Sequence, residues 1–311
     1  MENNTVNNME NNTVNNMENN TVNNMENNME NNTVNNMDNN TVNNMDNNSV
    51  NNMENNTVNN MENNTEIIDA WDEAINDNNF IIKNKISRIF PQLKNTSNYS
   101  KLLIDEESFS FITIREIAEL TSKIISYHLI KNNVNPQKTS IIDYTAGVGG
   151  NILSFSKYFN NVYAVEIDKN RSEYLQNNIN IYNQKNVIVI NNSAINYNNE
   201  KMLDIKPNAI FIDPPWGGIC YRKNDLLRLT LSDVPIEELV FDIFNKFRTI
   251  NISPLDSYSN RLVVLKLPKN YDIENFYNYI KKNIEGKNYI IISYVYILNK
   301  MFILICEYKA I

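Results

Sequence analysis

The 311-residue chain carries a formal net charge of −8, two cysteines, one histidine and six glycines. Cys220 and Cys306 are too few for a disulfide framework or a four-thiolate zinc site, and His128 alone excludes a two-histidine metal centre. No run of about 18 apolar residues spans a membrane, and the N-terminus lacks the basic–apolar–small order of a secretory signal, so the sequence reads as an intracellular protein of the cytoplasm or nucleus.

Residues 1–65 are the octamer MENNTVNN repeated, with Asp38 and Asp46 in place of Glu. An octamer has one Met and one Val as its only apolar groups, which cannot offset about 1–2 kcal/mol of backbone entropy per residue. The segment therefore reads as disordered and Asn-rich. It holds nine of the 36 acids and no base, so residues 66–311 carry 27 acids against 28 bases. The acidity belongs to the repeat, and the body is near neutral.

Residues 66–110 read as an irregular helical region broken near Pro91. Ile114, Ile117, Leu120, Ile124 and Ile125 then recur at helical spacing over 113–130, with His128 as a structural residue of that helix. Strands are expected at 139–144, 161–167, 186–191, 208–213, 261–267, 289–298 and 301–308. Helices are expected between them at 150–159, 170–183, 235–247 and 273–284, the third with Pro235 in its first turn and Ser232 or Asp233 as cap. Short strands alternating with helices give an α/β fold with a doubly wound, mostly parallel sheet. Only Asn299 and Lys300 separate the last two strands, which permits a hairpin and not a parallel crossover. The expected organisation is a disordered tail at 1–65, a helical extension at 66–130 and a main domain at 131–311.

Five of the six glycines fall in two clusters, each directly after an expected strand. Open α/β sheets bind ligands at such strand ends. In the first, Asp143-Tyr144-Thr145-Ala146-Gly147-Val148-Gly149-Gly150-Asn151, a strand ends, a glycine turn follows and a helix begins. Glu166 stands at the end of the next strand, where an acid accepts the ribose hydroxyls of a nucleoside-bearing cofactor. That pattern alone fits NAD or S-adenosylmethionine. Asp143, placed to meet a cationic amino-acid moiety, and the terminal hairpin favour S-adenosylmethionine. The second cluster is Asp213-Pro214-Pro215-Trp216-Gly217-Gly218. The prolines stiffen the strand exit, Trp216 offers a planar face, and Asp213 or the Pro214 carbonyl can polarise the N–H of a planar amine and receive its developing charge.

DYTAGVGGN at Asp143–Asn151 together with PPWGG at Pro214–Gly218 resembles the trimethylguanosine synthases, the RNA cap guanine-N2 methyltransferase family. VEID at Val165–Asp168 and IDEESFSFITIREIAEL at Ile104–Leu120 are similar to further segments of that family, and the resemblance covers roughly 80–311. It implies a Rossmann-like class I methyltransferase fold with seven strands, S-adenosylmethionine as cofactor and a capped RNA as partner. The protein is expected to act as a monomer, with no metal and no membrane. The implied reaction is methyl transfer to the 2-amino group of a 7-methylguanosine cap. By the same resemblance Asp143 and the Gly147–Gly150 loop, with Gly147 and Gly149, would hold the methionine part of the cofactor, and Thr145 and Asn151 would also bind the cofactor. Glu166 or Asp168 would hold its ribose, and Ser193 would sit where an acid usually meets the adenine. Trp216 would stack the methylated base, with Asp213 and Pro214 beside it. Phe109 and Thr113 would form the other wall, and the extension would so contribute to the substrate pocket.

Three positions depart from the family pattern. Asp213 stands where Ser is expected, Ile219 where Pro is expected, and Ser193 replaces the third-strand acid. Asp213 shifts the motif towards methylases of the adenine 6-amino group. Arg222, Lys223 and Arg228 after the Trp loop, with Lys266 and Lys269 near the fifth strand, are candidates to meet a cap triphosphate or RNA backbone. Arg222 and Lys223 are the first choices. Cys220 has no accompanying base and is not expected to act as a nucleophile.

Overall fold

The computed structural model of the chain describes residues 86–250 and 260–310. The expectations for the repeat at 1–65 and for the first part of the extension lie outside the described residues.

Seven strands form one sheet: β1 (Ser140–Asp143), β2 (Asn161–Glu166), β3 (Val187–Asn191), β4 (Ala209–Ile212), β5 (Arg261–Pro268), β6 (Tyr289–Ile297) and β7 (Met301–Ala310). Their order is β3-β2-β1-β4-β5-β7-β6. The first five pair in parallel, and β7 runs antiparallel to both β5 and β6. This is the Rossmann-like methyltransferase arrangement, a parallel sheet with an antiparallel C-terminal hairpin. The Leu298 N–H donates to the Met301 carbonyl at 2.8 Å and closes the hairpin over Asn299 and Lys300.

Among the described residues, six helices of at least seven residues flank it: α1 (Arg115–Lys131), α2 (Ile152–Tyr158), α3 (Lys169–Ile181), α4 (Ala194–Glu200), α5 (Ile236–Thr249) and α6 (Ile273–Ile284). Strands buried on both faces need an apolar residue at nearly every position, and β4 reads AIFI, buried throughout. On one face Ile142, Val165, Ile210, Val263 and Leu265 pack with Leu239, Val240, Ile243 and Phe244 of α5 and Phe276 of α6. On the other, Phe155 of α2 meets Phe211 of β4 edge to face at 5.3 Å. His128 of α1 is fully buried over β6 and β7, with Nδ1 2.6 Å from Glu307 Oε1 and Nε2 2.8 Å from the Tyr296 hydroxyl. Burial pushes its pKa down, and it is a structural residue.

Two local expectations differ from the structure. Neither Ser232 nor Asp233 caps α5. Both have positive φ, 49° and 64°, because they form the tight turn between the two-residue strands Thr230–Leu231 and Val234–Pro235. Pro235 itself stands at the N-cap, and Glu237 and Glu238 supply negative charge to the first turn. Helix α4 was not expected from its polar sequence AINYNNE. Ser193 caps it, Ala194 and Tyr197 are buried, and the Tyr144 hydroxyl donates to Asn198 Oδ1 at 2.8 Å. Tertiary contacts outweigh weak local propensity there.

Candidate functional site

Strands β1 and β4 are neighbours, yet the chain leaves them in opposite directions across the sheet, towards β2 and β5. A crevice opens at such a reversal, beyond the carboxyl ends of the strands. Both glycine loops start there. Thr145 ties them together, its hydroxyl accepting from the Asp213 N–H at 2.8 Å.

Asp143 ends β1 and is wholly buried. Its Oδ1 accepts from the Thr145 N–H at 2.8 Å, whereas its buried Oδ2 has no partner. Burial raises its pKa to about 7, with the neighbouring carboxylates Asp213 and Glu166 adding to the rise and the Thr145 bonds opposing it. A buried, unpartnered carboxylate oxygen at a strand end is a receptor for a cation or a proton.

The loop after Asp143 is held from the next strand. Glu166 Oε2 accepts from the Gly147 N–H at 2.8 Å and its Oε1 from the Asp168 N–H at 2.9 Å. Burial raises the Glu166 pKa against those two bonds. Each oxygen keeps a further lone pair for a hydroxyl donor. Asp168 and Ser193 are placed differently, as the N-caps of α3 and α4, accepting from Arg171 and Asn196. Of the two acids at the end of β2, only Glu166 touches the glycine loop. Gly147 has φ +52°, and a side chain there would enter space with no heavy atom within 4 Å. Gly150 serves a different need. A Cβ on it would come within 2.7 Å of the Thr113 carbonyl, so only glycine lets the upstream segment lie against the loop.

That segment is brought in from α3. The Asn178 side chain accepts from the Leu103 N–H and donates to the Leu103 carbonyl, both at 2.8 Å. Arg171 pairs with Asp105 and Glu107. Phe109 lies half-buried on the single helical turn Ser108–Phe111, and Thr113 is buried just beyond it. The Thr113 hydroxyl accepts from Asn151 Nδ2 at 3.1 Å and Lys266 Nζ at 3.0 Å, and its proximity helps to hold the pKa of Asp213 down. Asn151 Oδ1 is buried without a partner.

Lys266 was a candidate to meet a cap triphosphate or RNA backbone. The structure instead places it inside β5, 4% exposed, because a strand in mid-sheet has no rim. Its ammonium lies 2.6 Å from Asp213 Oδ2 and 5.2 Å from the centroid of the Trp216 ring, over one face. Burial raises the pKa of Asp213, and Lys266, Thr113 and Trp216 oppose the rise. The buried Trp216 Nε1 faces Asp213 without closing a hydrogen bond of full geometry. Tyr221 braces the indole edge-on, with centroids 5.3 Å apart.

The remaining basic candidates divide. Arg222 and Lys223 are exposed on the 3-10 helix Gly218–Lys223 beside Trp216. Lys269 is exposed at the end of β5. Arg228 pairs with the buried Glu237 at 2.7 Å, so it is held against the start of α5. Cys220 is exposed. One residue and one partnership were missed from sequence. The Asn270 amide donates to the Tyr221 and Asn224 carbonyls, both at 2.8 Å, and clamps the loop that follows Trp216. The partnership of Lys266 was also missed, although a single charge in the run Leu262–Leu267 signalled a buried counter-ion.

A family model described as RNA cap guanine-N2 methyltransferase matches residues 138–310. An uncharacterized protein of Acanthamoeba polyphaga mimivirus is 34% identical over 209 residues, covering 62% of this chain and 77% of its own length. The trimethylguanosine synthase of Schizosaccharomyces pombe is 27% identical over 190 residues, covering 60% of this chain and 70% of its own. That of Saccharomyces cerevisiae is 25% identical over 191 residues, covering 60% of this chain and 53% of its own.

Proposed function

The chain belongs to the RNA cap guanine-N2 methyltransferase family, and from that membership we propose that it methylates the exocyclic 2-amino group of a 7-methylguanosine RNA cap. The family's methyl donor is S-adenosylmethionine, which when bound supplies an electrophilic sulfonium methyl. The residues at the ends of β1 and β2 suit such a molecule. Asp143 Oδ2, buried and unpartnered, suits its ammonium, Glu166 suits its ribose hydroxyls, and the open space at Gly147 leaves the backbone free to approach it.

The observation that carries the base reading is the pairing of a braced, half-buried Trp216 with a rigid Pro214–Pro215 exit at the same strand end. A 7-methylguanine is cationic, so stacking on an indole gains a cation–π contribution over neutral guanine. Lys266 lies over one face of the ring, so a stacked base would take the other. The 2-amino group is a weak nucleophile because its lone pair is delocalised. Holding it in line, with an acceptor for one of its protons, does most of the work. The Asp213 carboxylate and the Pro214 carbonyl are the two acceptors at hand. Arg222 and Lys223 stand where they can meet the cap phosphates.

The test is mass spectrometry of products from a 7-methylguanosine-capped dinucleotide, its unmethylated counterpart and an uncapped adenine-containing RNA. Methyl addition to the N2 of the capped 7-methylguanine is expected. The carboxylate before the prolines favours a second reading, methylation of an adenine 6-amino group. Product on the adenine RNA with none on either cap would establish that reading instead.

Asp143 gives cofactor binding a pH dependence. Its pKa near 7 means that below pH 7 most of the protein carries a neutral Asp143. A bound ammonium pairs with the ionised form, so binding there must release a proton. Affinity for S-adenosylhomocysteine is expected to fall about tenfold per pH unit below 7 and to level off above it. Calorimetry in two buffers of different ionisation enthalpy would show close to one proton released at pH 6. A flat affinity between pH 5.5 and 8 would refute it.

A further inference from the structure

We propose that Lys266 is a positioning residue for the methyl transfer: it is the counter-ion that allows a carboxylate to stand before the two prolines, and by gathering Asp213, Thr113 and Trp216 it fixes the stacking ring and leaves the Pro214 carbonyl to accept from the substrate amine. This rests on the reading of Trp216 and Pro214 given above.

Three observations support it. The first is the ledger of hydrogen bonds around Asp213. A carboxylate at a strand exit beside a planar-amine site would ordinarily be taken as the acceptor for that amine. Here its Oδ2 already accepts from the Lys266 ammonium at 2.6 Å, and the Thr113 hydroxyl and Trp216 indole nearby help to hold its pKa down. No backbone hydrogen bond of the loops and turns ends on the Pro214 carbonyl among the described residues. On this reading the amine's acceptor is the main-chain one, and the side chain is held by its ion pair with Lys266.

The second is charge. Lys266 sits over the Trp216 ring, and an uncompensated ammonium there would oppose a cationic base on the opposite face. Asp213, 2.6 Å away, cancels it. The pair thus presents the base with a neutral support, which neither member would provide alone.

The third is connectivity. Lys266 comes from the middle of the sheet, Thr113 from the segment before α1, and Asp213 and Trp216 from the loop after β4. One ammonium joins three separate stretches of chain around the indole. Asp213 is where the chain departs from the Ser expected before these prolines, and the buried cation accompanies that departure.

The test is a double-mutant cycle on the full chain, using Lys266→Met, Asp213→Asn and the pair combined, all with Trp71→Phe so that Trp216 is the one tryptophan left for selective excitation. Lys266→Met leaves a buried carboxylate unpaired, and Asp213→Asn leaves the ammonium unpaired. Each is expected to lower kcat/KM on the capped dinucleotide about 30-fold or more. Each should also roughly double quenching of Trp216 by acrylamide, with S-adenosylhomocysteine affinity changed by no more than about threefold. The double variant, neutral at both positions, is expected to regain protected Trp216 fluorescence and to return kcat/KM to within about fivefold of the parent.

If Lys266→Met fails to fold while the double variant folds, the counter-ion role is supported by that rescue. An unchanged Lys266→Met would overturn the proposal. So would a double variant as inactive as the singles with its indole still protected, which would return the amine-acceptor role to the Asp213 carboxylate. Should the parent methylate no cap, the cap reading fails, and acrylamide quenching still decides the role of Lys266.

Discussion

Asp143→Asn is expected to lower affinity for S-adenosylmethionine and S-adenosylhomocysteine by roughly 100- to 1,000-fold, the scale of losing one partner of a buried charge pair. The same change is expected to stabilise the unliganded protein. In the folded chain Asp143 has a pKa of about 7, against an ordinary 3.8. A carboxyl raised in this way lets the folded state hold its proton more readily than the unfolded state. Its contribution to stability is complete below about pH 4 and is lost progressively up to about pH 7. Above that, the buried charge costs of the order of a few kcal/mol. Asn keeps an oxygen for the Thr145 N–H and carries no charge. Thermal unfolding at pH 8 should therefore rise in the variant, and at pH 4 the gain should vanish. Calorimetric titration and a pair of melting curves check both halves. Undiminished cofactor affinity would remove Asp143 from its proposed role.

Trp216→Ala is expected to weaken binding of a 7-methylguanosine cap analogue roughly 100-fold, combining about 1–3 kcal/mol of stacking with a cation–π contribution of about 1–2 kcal/mol. S-adenosylhomocysteine affinity should stay within about threefold, because Trp216 is held by the second loop and not the first. Preference for the 7-methylated over the unmethylated cap should shrink with it, since only the cationic base gains from the ring's quadrupole. Trp216→Phe should retain part of both effects. Equilibrium titration with the two cap analogues against each variant measures this. A preference that survives in Trp216→Ala would place recognition of the methylated base elsewhere.

The sheet was legible because each strand is short, apolar and bounded by polar turns. All seven expected strands correspond to observed ones within one or two residues at each end, and the two-residue gap at Asn299–Lys300 dictated the antiparallel end. Helix α4 was not legible, since a run of Asn with one Tyr has no apolar period and gains its stability from contacts distant in sequence. The placement of the two glycine loops at adjacent strand ends followed from the scarcity of glycine. The wiring between them did not. Nothing local distinguishes Asp168 as a helix cap from Glu166 as the acid beside Gly147. Nor does spacing tell that Lys266 turns inward to Asp213 while Lys269 stays exposed, because that depends on which strands flank β5.

The close approach of Thr113 to Gly150 bears on how the protein can be dissected. The family match begins at residue 138, and a fragment cut there would retain every strand of the described residues and both glycine loops. It would lack the hydroxyl that Asn151 and Lys266 share, and it would expose the flat backbone of Gly150 to water. The smallest portion worth expressing for activity therefore starts ahead of Pro91, whose carbonyl accepts from the Tyr182 hydroxyl at the end of α3, in a stretch where Ile89 and Phe90 are already buried. Fragments starting beyond Thr113 would be useful for the opposite purpose, as carriers of the sheet with an unfinished crevice.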